Sequence, residues 1–222
     1  MPETVITVQG HHSAWYPAER ATVTVTISAD GPQRDAVFAA ATSAADAVQA
    51  TIPALHDPDA GPITRWSADT IRVSSQRPWS NTGEQLDLVH HASLDLTVRF
   101  SRFDELSPWI ESVVAVDGAS ISGIDWSLSE ARRATAATEA RSRAVKDAVA
   151  KATIYAQSIG LGSVTATAVA DPGMLGDSAA PPTGVEPRMA MKMDASSGGG
   201  ILALKPQQIE VAASVDARFL AS

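Results

Sequence analysis

Three segments of the chain alternate between apolar and polar residues, and this period of two predicts long β-strands. The first covers residues 19–29, where valine and isoleucine alternate with threonine. In the second, residues 86–100, eight side chains share one face, and seven of them are apolar, with His90 as the exception. The third covers residues 209–219 at the C-terminal end. Because successive strand side chains point to opposite faces, each segment predicts a strand with one buried face.

Apolar residues recur every three or four positions in three other segments, which predicts amphipathic helices. The first helix is predicted from Pro32, in its first turn, to Leu55, the second over residues 103–116, and the third from Ser129 to Ser158. Further strands are predicted over residues 63–79, with a bulge near Asp69, and over residues 124–128. Residues 19–128 therefore follow the order β-α-β-β-α-β, which is the ferredoxin-like order.

The remaining segments extend this core. Short strands are predicted over residues 4–8 and 164–170, a loop over residues 10–17, and a hairpin turn at Asn81-Thr82-Gly83. Residues 172–206 are rich in Gly, Pro, Ser and Met without any periodicity, which predicts a mobile loop. We therefore expect an α+β fold over residues 1–222, in one domain. Its ferredoxin-like core would be extended by a long helix and further strands in an antiparallel or mixed sheet.

Composition and charge exclude several classes of protein. The apolar share of 45% is typical of a folded chain, while the net charge of −8 disfavours nucleic-acid binding. The absence of cysteine excludes disulfides, thiolate nucleophiles and cysteine-bound metal centres. No apolar run approaches the length of a transmembrane segment. The acidic, strand-like N-terminus lacks the pattern of a signal peptide, so we expect a cytoplasmic location.

Paired histidines are the candidate metal ligands, because neutral imidazole binds transition metals. The candidates are His11, His12 and His91. Adjacent strand residues face opposite sides, so only one of His90 and His91 can face a given site. His91 falls on the polar face, and His90 falls on the apolar face, as expected of a hydrogen-bonded core histidine. A ligand-binding module would use these histidines or Trp79, with the 172–206 loop as a lid.

The third predicted helix is basic in an acidic chain. It carries a net charge of +3, which leaves −11 elsewhere, and its candidate interaction residues are Arg132, Arg133, Arg141, Arg143 and Lys146. Oppositely charged residues four positions apart (139 with 143, 143 with 147, 147 with 151) are typical of a solvated helix. The alternative interpretation is docking against an acidic surface of another subunit. A second face is formed by small residues, namely Ala137, Ala140, Ala144, Ala148 and Ala152.

Two other motifs have structural and functional interpretations. The Gly160-Leu161-Gly162 segment follows a helix rather than preceding one, so it indicates a left-handed C-cap and not a phosphate-binding loop. Three alternating methionines, Met189, Met191 and Met193, could form a flexible contact patch or bind copper(I), and we favour the contact patch. The sequence has neither a Gly-x-Ser-x-Gly elbow nor a His-Glu-x-x-His motif, so no catalytic residues and no cofactor are predicted.

Five short segments form a series along the chain, namely residues 6–10 (ITVQG), 118–129 (GASISGIDWSLS), 139–144 (EARSRA), 159–162 (IGLG) and 205–211 (KPQQIEV). Together they resemble the SIMPL-domain family of bacterial proteins of unknown function. They occur in the family's order across almost the whole chain. Two positions differ from the family pattern, because His11-His12 stands where a second glycine is common and Ala18 where an acidic residue is usual.

The resemblance implies an α+β fold, a tendency to form oligomers, and loose links to stress responses, signalling complexes or the cell envelope. It implies no catalytic residue, and many relatives are periplasmic. From these observations we expect a non-enzymatic assembly or scaffold protein, a homo-oligomer with a possible protein partner. The alternative hypothesis is the small-ligand or metal-binding module described above.

Overall fold

The computed structural model describes residues 3–79, 85–176 and 204–222. These residues form three helices and eight strands in antiparallel sheets, which confirms the predicted α+β class. They divide into two compact units. The central unit comprises residues 17–79, 85–128 and 204–207, and the terminal unit comprises residues 3–16, 129–176 and 208–222. The assignment of the whole chain to one domain stays a prediction.

The central unit has the predicted ferredoxin-like order. Its elements are β2 (Arg20–Gly31), α1 (Arg34–Gln49), β3 (Ile63–Ala68), β4 (Arg72–Gln76), β5 (Val89–Phe100), α2 (Leu106–Val114) and β6 (Ala119–Ser127). The antiparallel sheet has the order β3-β5-β2-β6, and β4 also pairs with β5. The strands β2 and β3, joined by α1, therefore have β5 between them, and the strands β5 and β6, joined by α2, have β2 between them. This is the arrangement of a ferredoxin-like sheet.

Large side chains fill the core of this unit. Every second residue of β5 is buried, from Ala92 to Phe100, and α1 and α2 pack on this face of the sheet. Phe100 is fully buried, with its ring centroid 5.1 Å from that of Trp109 on α2. The Trp109 indole N–H donates to Thr51 Oγ1 at 2.9 Å, which satisfies the polar atom of this large residue.

Some predicted boundaries in the central unit are wrong. Helix α1 begins at Arg34, beyond Pro32, and ends at Gln49, after which turns bring Ile52 into the core. Residues 63–79 form β3 and β4 with a break from Asp69 to Ile71, near the predicted bulge, and both strands pair with β5. The predicted turn at residues 81–83 lies outside the described residues.

The terminal unit packs one long helix against three strands. Its elements are β1 (Thr4–Pro17), α3 (Glu130–Ser158), β7 (Val164–Ala170) and β8 (Gln208–Ala221), with the sheet order β1-β8-β7. The Ser129 hydroxyl caps α3 by accepting from the Arg132 backbone N–H. Gly160 follows the helix with φ of 80°, which confirms the predicted left-handed C-cap. Most of the predicted 172–206 loop lies outside the described residues.

The buried stripe of α3 consists of alanines at every fourth position. They are Ala136, Ala140, Ala144, Ala148, Ala152 and Ala156. The prediction of Ala137 in this stripe is wrong, because the four-residue spacing of the other members continues back to Ala136. Small side chains let the helix lie very close to the sheet.

Gly10 lies where β1 passes closest to this stripe. A Cβ atom added at Gly10 would lie 2.0 Å from the Ala144 carbonyl oxygen and 2.8 Å from the Ala148 Cβ atom. The predicted loop over residues 10–17 is therefore wrong, because β1 continues through this glycine to Pro17. The glycine serves close packing here rather than a turn.

Candidate functional site: strand edges and the α3 surface

An ion pair from α3 binds main-chain groups in the middle of β1, an edge strand of its sheet. Lys151 Nζ lies 2.7 Å from Asp147 Oδ2 and donates to the Gln9 backbone carbonyl at 3.0 Å. The same Asp147 oxygen accepts from the His11 backbone N–H at 2.8 Å. These hydrogen bonds, first that from Lys151 and then that from His11, lower the pKa of the Asp147 carboxyl. The Gln9 carbonyl and the His11 N–H, two main-chain groups in the middle of this 14-residue strand, are thereby occupied.

The opposite edge of this sheet is β7. Within the described residues β7 pairs only with β8, and its sequence, VTATAVA, contains no charged residue. Most of its side chains are exposed, including half of Val169. A register irregularity between Ala166 and Ala168 is the one feature that interrupts the strand. An uncharged edge of this kind is prone to pair with another strand.

The edge strands of the central unit differ from β7 in charge. Arg65 lies on β3, Arg72 on β4 and Asp125 on β6. Charged residues on edge strands discourage pairing between molecules. Among the edge strands of the described sheets, β7 alone has neither a charged residue nor an ion pair bound to its main chain. Its lack of charge was visible in the sequence, but its position at an edge was not.

The predicted basic residues of α3 are all exposed. Arg143 forms the expected ion pair with Glu139 at 2.9 Å, and the Arg132 guanidinium lies 4.8 Å from the centre of the Tyr16 ring. Arg133, Arg141 and Lys146 form no ion pair within the described chain. The structure therefore leaves three uncompensated cations on this helix. Met189, Met191 and Met193 lie outside the described residues.

The candidate histidines are divided between the two units. His11 and His12 lie on β1, where His11 Nδ1 is 3.1 Å from Ser214 Oγ, and His91 lies on β5 with Nδ1 2.5 Å from Asp30 Oδ1. His90 contacts Ser75 Oγ at 2.6 Å, a hydrogen bond of the kind predicted. In residues 3–79, 85–176 and 204–222, no three His, Asp or Glu side chains form a group that could hold a metal ion. The metal assignment stays a prediction.

In a small cavity of the terminal unit, the Asp216 carboxylate already forms hydrogen bonds with neighbouring groups. The cavity has a volume of about 240 Å³ and is lined in part by Gln9, Gly173 and Asp216. The Asp216 carboxylate accepts from the Gln9 side-chain amide at 3.0 Å and from the Gly173 N–H at 2.7 Å. Both carboxylate oxygens are therefore occupied, and the cavity presents no free charge from this residue.

None of the helices in the described part of the chain combines the length and apolar character of a membrane span. A comparison with curated proteins finds no significant match. The model of the family described as SIMPL, protein of unknown function (DUF541), matches residues 6–219 and so covers both units. The chain, whose two units are described above, therefore belongs to the SIMPL family.

Proposed function

We propose that this chain is a non-enzymatic assembly protein that forms a homo-oligomer through the edge of β7. The observation that carries the proposal is the contrast between the two edges of the β1-β8-β7 sheet. Asp147 and Lys151 bind main-chain groups in the middle of β1, whereas β7 is an uncharged strand whose second side has no partner in the described residues. Pairing would satisfy these main-chain groups.

A second copy of this chain is the partner that β7 fits best. Two copies of a strand can pair antiparallel about a two-fold axis, so that each contributes the same surface. The small and β-branched side chains of β7 suit such close cross-strand pairing, and the strand carries no charges that would repel one another across the axis. The result would be a sheet continuous between two subunits.

The charge distribution supports association between copies. The uncompensated cations of α3 belong to a chain whose net charge is −8. The basic helix of one copy can therefore attract an acidic surface of another, which raises the rate of encounter and helps to set orientation. Ordering of the 172–206 loop on assembly, the scaffold role, the links to stress or the envelope, and the cytoplasmic location stay predictions.

The test is native mass spectrometry of the untagged chain at micromolar concentration, with two matched double variants. Ala166→Lys with Val169→Lys places two charges on the β7 edge, whereas Ala40→Lys with Val114→Lys places the same residues on exposed positions of α1 and α2. We expect a defined multimer for the wild type and the control, and a smaller species for the edge variant. A monomeric wild type, or an edge variant that keeps the wild-type stoichiometry, would contradict the proposal.

The same spectra test the alternative of a ligand-binding module. A monomer that retains an additional mass would favour that alternative. Its next test would be the shift in Tm on adding metal, which His91→Ala should abolish if this histidine is a ligand.

A further inference from the structure

The face of the central sheet opposite its core contains two arginines side by side. Arg65 on β3 lies directly opposite Arg99 on β5, and Arg99 lies opposite Thr22 on β2. The register shifts between Ile63 and Arg65. Since a shift of one residue exchanges the two faces of a strand, this bulge turns Arg65 toward the same face as Arg99.

These residues line a concave site of about 200 Å³. Its lining consists of Thr22, Arg65, Trp66, Ser67, Thr97 and Arg99. The site therefore contains two guanidinium groups and three hydroxyl groups but no carboxylate. Its volume is below the roughly 300–1,000 Å³ of pockets that hold drug-sized ligands, so a small ligand or a single chemical group fits it.

Neither charge is compensated within the described residues, where the guanidinium groups of Arg65 and Arg99 form no ion pair or hydrogen bond. Asp95, on the same face of β5, instead binds Arg72 at 3.5 Å and Thr26 Oγ1 at 2.6 Å. Asp125 lies opposite Thr22, two strands from Arg99 and hence about 10 Å away at ordinary strand spacing. Like charges directly opposite one another on a sheet are destabilising.

We propose that this site binds a small oxoanion, namely inorganic phosphate or the phosphoryl group of a phosphomonoester. A guanidinium presents paired N–H donors whose geometry matches two phosphate oxygens, and two such groups balance a dianion. The hydroxyls of Thr22, Ser67 and Thr97 can donate to the remaining oxygens. Binding would remove the repulsion between Arg65 and Arg99, so the anion should stabilise the folded chain.

The test is titration calorimetry of the full chain with sodium phosphate at constant ionic strength, set by sodium chloride. We expect saturable binding by the wild type and by Arg102→Gln, an exposed arginine of the same unit outside the site. Arg65→Gln and Arg99→Gln should each weaken binding about tenfold or more, since each removes charge-assisted hydrogen bonds. Arg99→Lys, which keeps the charge but not the paired donors, should fall between.

Thermal unfolding gives a second readout that separates binding from misfolding. Phosphate should raise the Tm of the wild type but not that of the Arg65→Gln, Arg99→Gln double variant. In chloride alone that double variant should melt at or above the wild-type Tm, because the repulsion is gone. An equal rise in both proteins would identify general salt stabilisation and would overturn the proposal, as would the absence of saturable binding.

Glycerol phosphate distinguishes the two sources of the anion. If it competes with inorganic phosphate at comparable concentration, the site accepts a phosphoryl group on a small molecule. If only inorganic phosphate binds, the site is specific for the free ion.

Discussion

The interior of each unit is stabilised by a different kind of packing. The central unit fills its core with large side chains, including Phe100, Ile27 and Leu106. The terminal unit buries four alanines of α3 against Ile6, Val8, Phe219 and their neighbours on the sheet. A core of large side chains gains stability from apolar area and is weakened by voids. A helix with an alanine stripe depends instead on close backbone approach and is weakened by added volume.

Gly10 and Gly123, one in each unit, differ in the space around them. At Gly10 in the terminal unit even one methyl group would collide with the backbone of α3, whereas a Cβ atom at Gly123 in the central unit would meet nothing within 4 Å. A backbone atom cannot move aside as a flexible side chain can. Removing a large buried side chain should therefore damage the central unit most, and adding volume beside the alanine stripe at Gly10 should damage the terminal unit.

The largest effect is expected for Phe100→Ala. It removes a fully buried ring that packs against Trp109, and the expected loss is about 3–5 kcal/mol in the free energy of unfolding. Four of the five tryptophans lie in the central unit, so tryptophan fluorescence measured during urea unfolding reports mainly on this unit. The matched control is Phe38→Ala on α1, where the ring is 47% exposed and a much smaller loss is expected. Equal losses would mean that buried volume does not control this unit.

The second-largest effect is expected for Gly10→Ala, because the new methyl group overlaps the Ala144 carbonyl oxygen. The expected loss is about 3 kcal/mol in the free energy of unfolding. The terminal unit contains the 29-residue helix α3, and the central unit contains α1 and α2 with 16 and 9 residues. Unfolding of the terminal unit alone should therefore remove about half of the circular dichroism signal at 222 nm. The variant should lose helical signal at lower urea than tryptophan fluorescence changes. Gly123→Ala is the control and should unfold as the wild type does. A Gly10→Ala protein of unchanged stability would refute the close approach of strand and helix.

The smallest effect is expected for Asp147→Asn, which tests the ion pair that binds the main chain of β1. The pKa of Asp147 is lowered in the folded state, so its contribution to stability is present above the ordinary aspartate value and is lost as pH falls below about 4. The Tm difference between wild type and variant should therefore be largest near pH 7 and should shrink as pH falls through that range. Asp104→Asn, in an exposed loop, is the control. A difference that does not change with pH would exclude a role for the charge.

Much of the fold could be predicted from local pattern. Strict alternation along β2, β5 and β8 and the helical spacing in α3 identified these elements, because one buried face imposes a period on the sequence. The ferredoxin-like order followed from their succession. The errors arose where a residue is needed for a contact with a distant part of the chain. Gly10 indicated a turn, but its lack of a side chain instead allows β1 to lie against α3.

The candidate sites were less predictable. The basic residues of α3 were identified correctly as exposed, but Asp147 and Lys151 also bind the backbone of β1, which lies more than 130 positions away in the chain. Arg65 and Arg99 were not identified at all, since they are 34 positions apart and meet only through the register of β3 and β5. No local pattern in the sequence predicts that these two arginines are neighbours.

The sequence by itself determined the α+β class, the order of the elements, the family and the basic character of α3, because each of these depends on periodicity, composition or a series of short motifs. Only the tertiary structure decided which strand lies at an edge, which edge strand α3 binds and which arginines share a face. These properties depend on strand order and register, which hydrogen bonds between distant segments establish. A one-residue bulge at β3 is enough to bring Arg65 beside Arg99.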